Sequence, residues 1–506
     1  MRRLPGVRRS WCLFRVRRCM HNGLVPRSSK PRTSWTSSGE LDFLVALADQ
    51  ARGLSAALQQ AVRDAIRDGR LGSGQPLPST RALASDLGVA RGTVVEAYGQ
   101  LAAEGWLVAR QGLGTSVADI QSVAPAPAEP PAAQARRLDL RPGHADPSSF
   151  PRQNWAAVTR KVLAEAPDEA FGYADPRGRP ELRAALAGYL GRARAVRTTA
   201  ASLLVCSGAG HGMGVAFRAL AARGARVLAV EDPSSSRLRA IAAGAGLRLV
   251  PLPCDDLGAR VVALPSLGAD AVVVTPAHQY PLGVTLASRR RSELLAWARA
   301  SNAVIIEDDY DGELRYDRQP VGALQALDPG RVIYAGTTSK SLSAALRIGW
   351  LAVPPQLMDL LVDACRQVSA WPSSLDQIAM ARFIEAGLFD RHIRRMRGIY
   401  RQRRDLLTAT LAAHAPMLRV TGIAAGGHAL VRLPPGGPGE DEVINGAARC
   451  DLALEGLGGY RFGHDAAELA RHEPALVIGY GSPAGRSYRA AVAALGDYLR
   501  SVYARA

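Results

Sequence analysis

The chain has 506 residues, more than one ordinary hydrophobic core holds, so two or three domains are expected. Its six cysteines (Cys12, Cys19, Cys206, Cys254, Cys365, Cys450) include no C-x-x-C pair, which argues against a disulfide framework and a zinc site and suits a reducing cytoplasm. No apolar run reaches the roughly 18 residues of a membrane helix, and the formal charge of +18 is uneven: ten basic residues fall within 1–38, before the first acid, Glu40.

Residues 1–40 form a basic arm without the apolar centre of a signal peptide. Rich in Arg and Ser and poor in acids, the arm resembles a transit peptide in composition. A disordered nucleic-acid-binding arm, or translation from upstream of a later start such as Met20, fits as well.

Residues 41–119 read as helices followed by a hairpin. Leu58, Val62, Ala65 and Ile66 lie on one helical face. Ser79, after Pro78, suits the N-cap of a short helix carrying Leu83, Ala84 and Leu87, and Gly88 suits its left-handed stop. A second helix starts near Arg91 and buries Val94, Ala97, Tyr98 and Leu101. Two short helices around a Gly-containing turn make a helix-turn-helix, and LVARQGLGTSV after it reads as a wing with its tip at Gly112 to Gly114. Arg91 and Thr93 suit base edges and phosphate in the major groove of double-stranded DNA. Ser79, Thr80 and Arg81 open a helix whose free amides favour a phosphate, and Arg110 with the glycine tip could follow the backbone or a minor groove. Residues 41–120 balance 7 Arg against 8 acids, so placement rather than bulk charge carries this reading. A protein-interaction module with ordinary surface arginines is the alternative. The stretch from LPSTR to GLGTSV resembles the GntR-type winged helix in its Leu-Pro-Ser-x-Arg, Arg-x-Thr-Val and Gly-x-Gly-Thr elements together. That resemblance implies operator binding through Arg81, Arg91 and Thr93, with the wing at Arg110 to Gly114.

Residues 120–137, centred on APAPAEPPAAQA, read as a semi-extended linker. Over 138–354, apolar β-branched runs alternate with helical stretches, the pattern of a mostly parallel sheet with crossovers; 355–506 reads as a smaller α+β domain.

Lysine is scarce: Lys30, Lys161 and Lys340 are the whole set, and arginine cannot form an imine with an aldehyde. Lys340 follows a strand in VIYAGTTSKSLSAALRIGW, among the phosphate-ligand types Thr337, Ser339 and Arg347. Upstream, Asp308, Asp309 and Tyr310 end an apolar strand, where acids are costly without a partner. A pyridinium nitrogen is one such partner; a metal-binding turn is the other, though no His accompanies it at ligand spacing. LLVCSGAGHGMGVAF reads as strand, glycine-rich turn and helix start, letting the amides of Ala209 and Gly210 approach a phosphate. Thr275, Asp308 and Lys340 all fall at carboxyl ends of strands, where open α/β sheets build their sites.

Residues 138–500 resemble the fold-type I aminotransferases, most strongly in FGYADPRGRPELRAALAGYL, TPAHQYPLGVTL, EDDYDGELRY and GTTSKSLSAALRIGW. With the winged helix in front, the chain is similar to the MocR/GabR/PdxR subfamily of GntR regulators. The resemblance implies pyridoxal 5'-phosphate on Lys340, Asp308 at its pyridine nitrogen, Tyr310 at its 3-oxygen, and Thr337, Ser339 and Arg347 at its phosphate. It also implies a homodimer and a ligand-responsive regulator, with a small amine or amino acid as possible effector. A working aminotransferase with an accessory DNA-binding domain is the alternative, and a DNA-binding protein with a vestigial, cofactor-free domain is a third. Two positions depart from the family: VEDPSSS puts Ser235 where an aromatic ring-stacking residue is expected, and ALVIGYGS puts Val477 where aminotransferases carry the substrate-carboxylate arginine. Loss of that clamp makes transamination doubtful.

Overall fold

Apolar spacing in the first part of the chain resolves into three helices and a hairpin in the computed structural model. The structure describes residues 53–119, 138–143, 145–316, 321–368, 370–463, 472–482 and 485–503, so the arm expected over 1–40 and the linker expected over 120–137 lie outside the described residues. The chain divides into two units, Met1–Ala133 and Gln134–Ala506. In the first, helix α1 (Leu54–Arg67) buries Leu58, Val62, Ala65 and Ile66. Helix α2 (Thr80–Leu87) is capped by Ser79, whose hydroxyl accepts from the Ala82 amide at 3.2 Å, and it stops at Gly88 with φ 66°. Helix α3 (Arg91–Ala103) buries Val94, Ala97, Tyr98 and Leu101. Strands β1 (Leu107–Arg110) and β2 (Gly114–Val117) pair antiparallel, and Leu107 and Val117 join the helical core. Each such buried aliphatic side chain contributes roughly 1.5–3 kcal/mol against the entropy of ordering the chain.

The second unit is built on an eight-stranded sheet. Its strands in chain order are β3 (Leu203–Cys206), β4 (Val227–Asp232), β5 (Arg248–Asp255), β6 (Gly258–Ala259), β7 (Ala271–Val274), β8 (Val304–Asp308), β9 (Val332–Thr337) and β10 (Gly349–Ala352). Across the sheet the order is β3-β10-β9-β8-β7-β4-β5-β6. Strands β9, β8, β7, β4 and β5 run parallel; β10 is antiparallel to both β9 and β3. The apolar runs of β3, β7, β9 and β10 are buried throughout because helices cover both faces. Helix α4 (Ala209–Ala222) covers one face, packing Met213 and Phe217 on Leu204, Ile306 and Ile333.

The mostly parallel sheet and the α+β remainder are as the pattern predicts, but the border expected at residue 354 is not a change of core. Leu357, Leu361 and Cys365 belong to the cluster of Phe217, while Phe383 and Phe389 belong to that of Tyr189 and Trp350. A separate core gathers Leu430, Val477 and Tyr460, and a larger one Val431, Leu476 and Tyr488 around an antiparallel sheet of β11 (Arg419–Thr421), β12 (His428–Arg432), β13 (Glu455–Gly456) and β14 (Ala475–Gly479). Leu138 and Asp139, at the head of this unit, pair in parallel with Leu452 and Ala453. The chain therefore enters through the smaller subdomain before building the larger.

Candidate cofactor site and DNA-reading face

Parallel strands deliver their carboxyl ends to one edge of a sheet. Asp308 ends β8, Thr337 ends β9, and Thr275 follows β7. Asp308 and the next residue, Asp309, separate sharply. Asp309 is buried, paired with Arg194 at 2.6 Å and accepting from the Tyr334 hydroxyl at 2.7 Å. Asp308 is half-buried, and among the described residues no donor meets its carboxyl. Burial, reinforced by the charge of Asp309, pushes Asp308 up to about 7.

The Lys340 amine donates to the Gly143 carbonyl. Burial lowers its pKa, opposed first by Asp311 and then by Asp308. Lys340, Tyr310, Tyr280, Tyr400, Asp311 and His428 line one small cavity. The Tyr310 hydroxyl donates to the His278 carbonyl at 3.0 Å and lies 3.1 Å from His278 Nδ1. That same Nδ1 is 2.9 Å from Asp311. The sequence places no His beside the acidic turn, whereas the fold brings His278 and His428 to Asp311 with candidate ligand atoms all within 4.8 Å. His278 Nδ1 already faces Asp311 and His428 Nε2 lies 3.2 Å from the Pro281 carbonyl, while His278 Nε2 is buried without a hydrogen-bond partner among the described residues; through Nδ1, His278 and Asp311 form a hydrogen-bonded support behind Tyr310.

The amino end of α4 forms the other end of the site. Gly208 precedes it with φ 83° and no side chain caps the helix, leaving first-turn amides at Ala209 and Gly210. Arg347, itself left-handed with φ 51°, donates to the Ser207 carbonyl at 2.8 Å. A Cβ on Gly208 would lie 3.2 Å from the Arg347 guanidinium carbon, and one on Gly349 would lie 2.8 Å from the Gly208 carbonyl carbon. Thr337 Oγ1 donates to Ser339 Oγ at 3.0 Å and accepts from the Ser339 amide at 3.2 Å. Arg237 joins them, its Nη2 being 3.6 Å from where a Gly210 Cβ would stand. Sequence reasoning missed Arg237; the signal was an arginine one residue into a helix after the hydroxyl run of DPSSSR.

These groups fit pyridoxal phosphate. Asp308 lacks the donor that a pyridinium N–H is, and the uncapped α4 amides with Arg347 form an anion cradle that glycine alone leaves open. Ser235 gives no ring-stacking surface: its hydroxyl caps the helix Ser236–Gly244, accepting from Leu238 N at 3.5 Å.

On the first unit, Ser79, Arg81, Arg91, Arg110, Gly112 and Gly114 are exposed, while Thr80 and Thr93 are half-buried. Arg91 is the first residue of α3, and Gly112 and Gly114 both take positive φ at the wing tip. Ser79 is committed to capping α2.

The model of aminotransferase class I and II matches residues 144–435, and that of the gntR family of bacterial regulatory proteins matches residues 54–117. The chain is 33% identical over 450 residues to the pyridoxine biosynthesis transcriptional regulator PdxR of Corynebacterium glutamicum, covering 87% of this chain and 94% of that one. It is 35% identical over 379 residues to the probable rhizopine catabolism regulatory protein MocR of Rhizobium meliloti, covering 71% and 77%. The chain belongs to the MocR-like GntR regulators. A kynurenine aminotransferase of Pyrococcus horikoshii shares the fold of the larger unit, with TM-score 0.65 at 22% identity over 73% of this chain and 92% of its own.

Within this MocR-like regulator, Val477 lies in the middle of β14, paired with Leu430 and Glu455 and fully buried. A cavity of about 780 Å³ between residues 282–285 and 419–432 lies outside the Lys340 lining, and its charges Arg419, Arg432, Glu473 and Asp256 are already paired with one another. Among the described residues no helix is long and apolar enough to cross a membrane.

Proposed function

We propose that this MocR-like regulator binds operator DNA as a cytoplasmic homodimer, with an affinity set by pyridoxal 5'-phosphate on Lys340, alone or with a small amine or amino-acid effector. One observation carries the reading. A single chain joins a winged helix exposing Arg81 and Arg91 to an aminotransferase-like domain that carries Lys340, Asp308, Tyr310 and Arg347, with Val477 at the position the resemblance assigns to the carboxylate clamp.

When bound, the cofactor supplies a reactive aldehyde carbon and an electron-withdrawing ring. Lys340 would hold that carbon, Asp308 the ring nitrogen and Tyr310 the 3-oxygen. Ala209, Gly210, Thr337, Ser339 and Arg347 would hold the phosphate. In the winged helix, Arg91 and Thr93 would read the major groove, with Ser79, Thr80 and Arg81 at phosphate and Arg110, Gly112 and Gly114 at the wing. The exposed aromatics Phe171 and Tyr173, two residues apart, are consistent with self-association that would cover them. Coupling follows if ligand binds two domain arrangements unequally, typically with about 1–3 kcal/mol between sites.

An aminotransferase reading would need a cation for the substrate carboxylate, and buried Val477 gives none. Gel shift of a fragment from the regulator's own upstream region, with and without pyridoxal phosphate, tests the proposal. The expected result is a cofactor-dependent shift that Lys340→Ala makes cofactor-independent. Equal affinity under all conditions would leave a plain DNA-binding protein.

A further inference from the structure

The proposed site leaves the effector's chemistry open, and the wall around Lys340 narrows it. An incoming molecule meets the phenols of Tyr280, Tyr310 and Tyr400, the His428 ring and the Asp311 carboxylate. Among the described residues no arginine lines this cavity. At the position the resemblance assigns to an aminotransferase's carboxylate-binding arginine, Val477 packs against Leu282, Leu430 and Leu457. Arg403, which reaches the chain just beyond that strand, donates to the carbonyls of Tyr480 at 3.1 Å and Gly481 at 3.0 Å. It is closed off by Asp146, the two side chains being 7% and 4% exposed, so it is not free to receive a ligand. His428 brings no charge either, because burial and the neighbouring His278 hold its pKa well below the ordinary range. Asp311 is the remaining charged group of this lining besides Lys340, and its charge acts on the Lys340 amine more strongly than those of Asp308 and Arg237.

A ligand carboxylate in this cavity would face Asp311 with no arginine in the lining to clamp it, whereas an ammonium group would be drawn in. We propose that the site takes a primary amine lacking an α-carboxylate, with an aliphatic or aromatic stem against the tyrosines, rather than an amino acid. This rests on the cofactor being held at Lys340. Exchange there would replace the carbon–nitrogen double bond to Lys340 Nζ by one to the entering nitrogen. The three protons of the entering ammonium would finish on the released lysine as its ammonium, and no oxidant or reductant is required.

Matched pairs test the proposal on the full-length protein reconstituted with pyridoxal phosphate: tyramine against tyrosine, and 1,4-diaminobutane against ornithine. Each is titrated while the cofactor's visible absorption and the operator affinity are followed. Each amine should half-saturate at a concentration at least about tenfold below its amino acid, and Asp311→Asn should narrow that gap. An amino acid binding as tightly as its amine, or a gap untouched by Asp311→Asn, overturns the assignment. So does a bound cofactor that responds to neither, which would leave pyridoxal phosphate itself as the signal. Failure of the protein to acquire the cofactor's absorption at all overturns the reading beneath it and is seen before any amine is added.

Discussion

The Arg194 guanidinium meets the Asp309 carboxylate at 2.6 Å with the two side chains 0% and 1% exposed, one residue away from an Asp308 that has no such partner among the described residues. Successive strand residues face opposite sides of a sheet, so the doublet ending β8 sends one acid into the core and leaves the other to the site. Removing one partner of a buried pair costs about 3–5 kcal/mol, because the remaining charge is stranded. Arg194→Ala should lower the stability of the larger unit by that amount in urea unfolding. Asp308→Asn should change it by less than about 1 kcal/mol while weakening cofactor binding at least tenfold. A large stability loss from Asp308→Asn would mean that Asp308 is structural too.

The depressed pKa of Lys340 has a directional consequence. Capture of an aldehyde needs the free amine, so its rate rises with pH through the lysine's titration. Burial lowers that titration from its ordinary range, while Asp311 and Asp308 oppose the lowering by favouring the ammonium form. Asp311→Asn should therefore move the midpoint to lower pH still. Stopped-flow absorbance of cofactor binding to the apoprotein across pH measures it, and a midpoint moving upward contradicts the charge assignment.

Gly349 tests the phosphate cradle without removing a ligand. A Cβ there would stand 2.8 Å from the Gly208 carbonyl carbon and 3.0 Å from the Ala209 amide nitrogen, distances backbone cannot accommodate in place. Gly349→Ala should displace the start of α4 and weaken pyridoxal phosphate at least tenfold, about 1.4 kcal/mol. Pyridoxal without its phosphate should lose less, which a fluorescence titration of both compounds shows.

For the winged helix, Arg91 and Arg81 are separable by salt. If Arg91 reads a base, Arg91→Ala costs about 1–3 kcal/mol on the operator and relaxes sequence preference at one position. If Arg81 meets phosphate, Arg81→Ala weakens all duplexes alike and reduces the salt slope by about one. Anisotropy titrations over a salt series on operator and scrambled DNA distinguish the two.

Ser79 is the N-cap of α2, accepting from Ala82 N. Ser79→Ala should cost about 1 kcal/mol of stability in the smaller unit, read as an earlier thermal transition. Operator affinity at a temperature where the variant is fully folded should fall little. A tenfold loss there would assign the hydroxyl to the DNA as well.

Local pattern was enough for much of this regulator. Helix caps at Ser79 and Gly88, the buried stripe of α1, the apolar strands with site residues at their ends, and the lysine poverty that singles out Lys340 are all legible in order along the chain, because period, capping and composition are short-range properties. What the fold alone decided joins residues far apart in sequence. The split fates of Asp308 and Asp309 depend on Arg194 and Tyr334, the support of Tyr310 on His278, and the approach of Arg237 to Gly210 on crossover helices. Likewise, residues 355–393 look like the start of a new domain but complete the larger core, since a hydrophobic face carries no mark of which sheet will cover it until the chain has closed on itself.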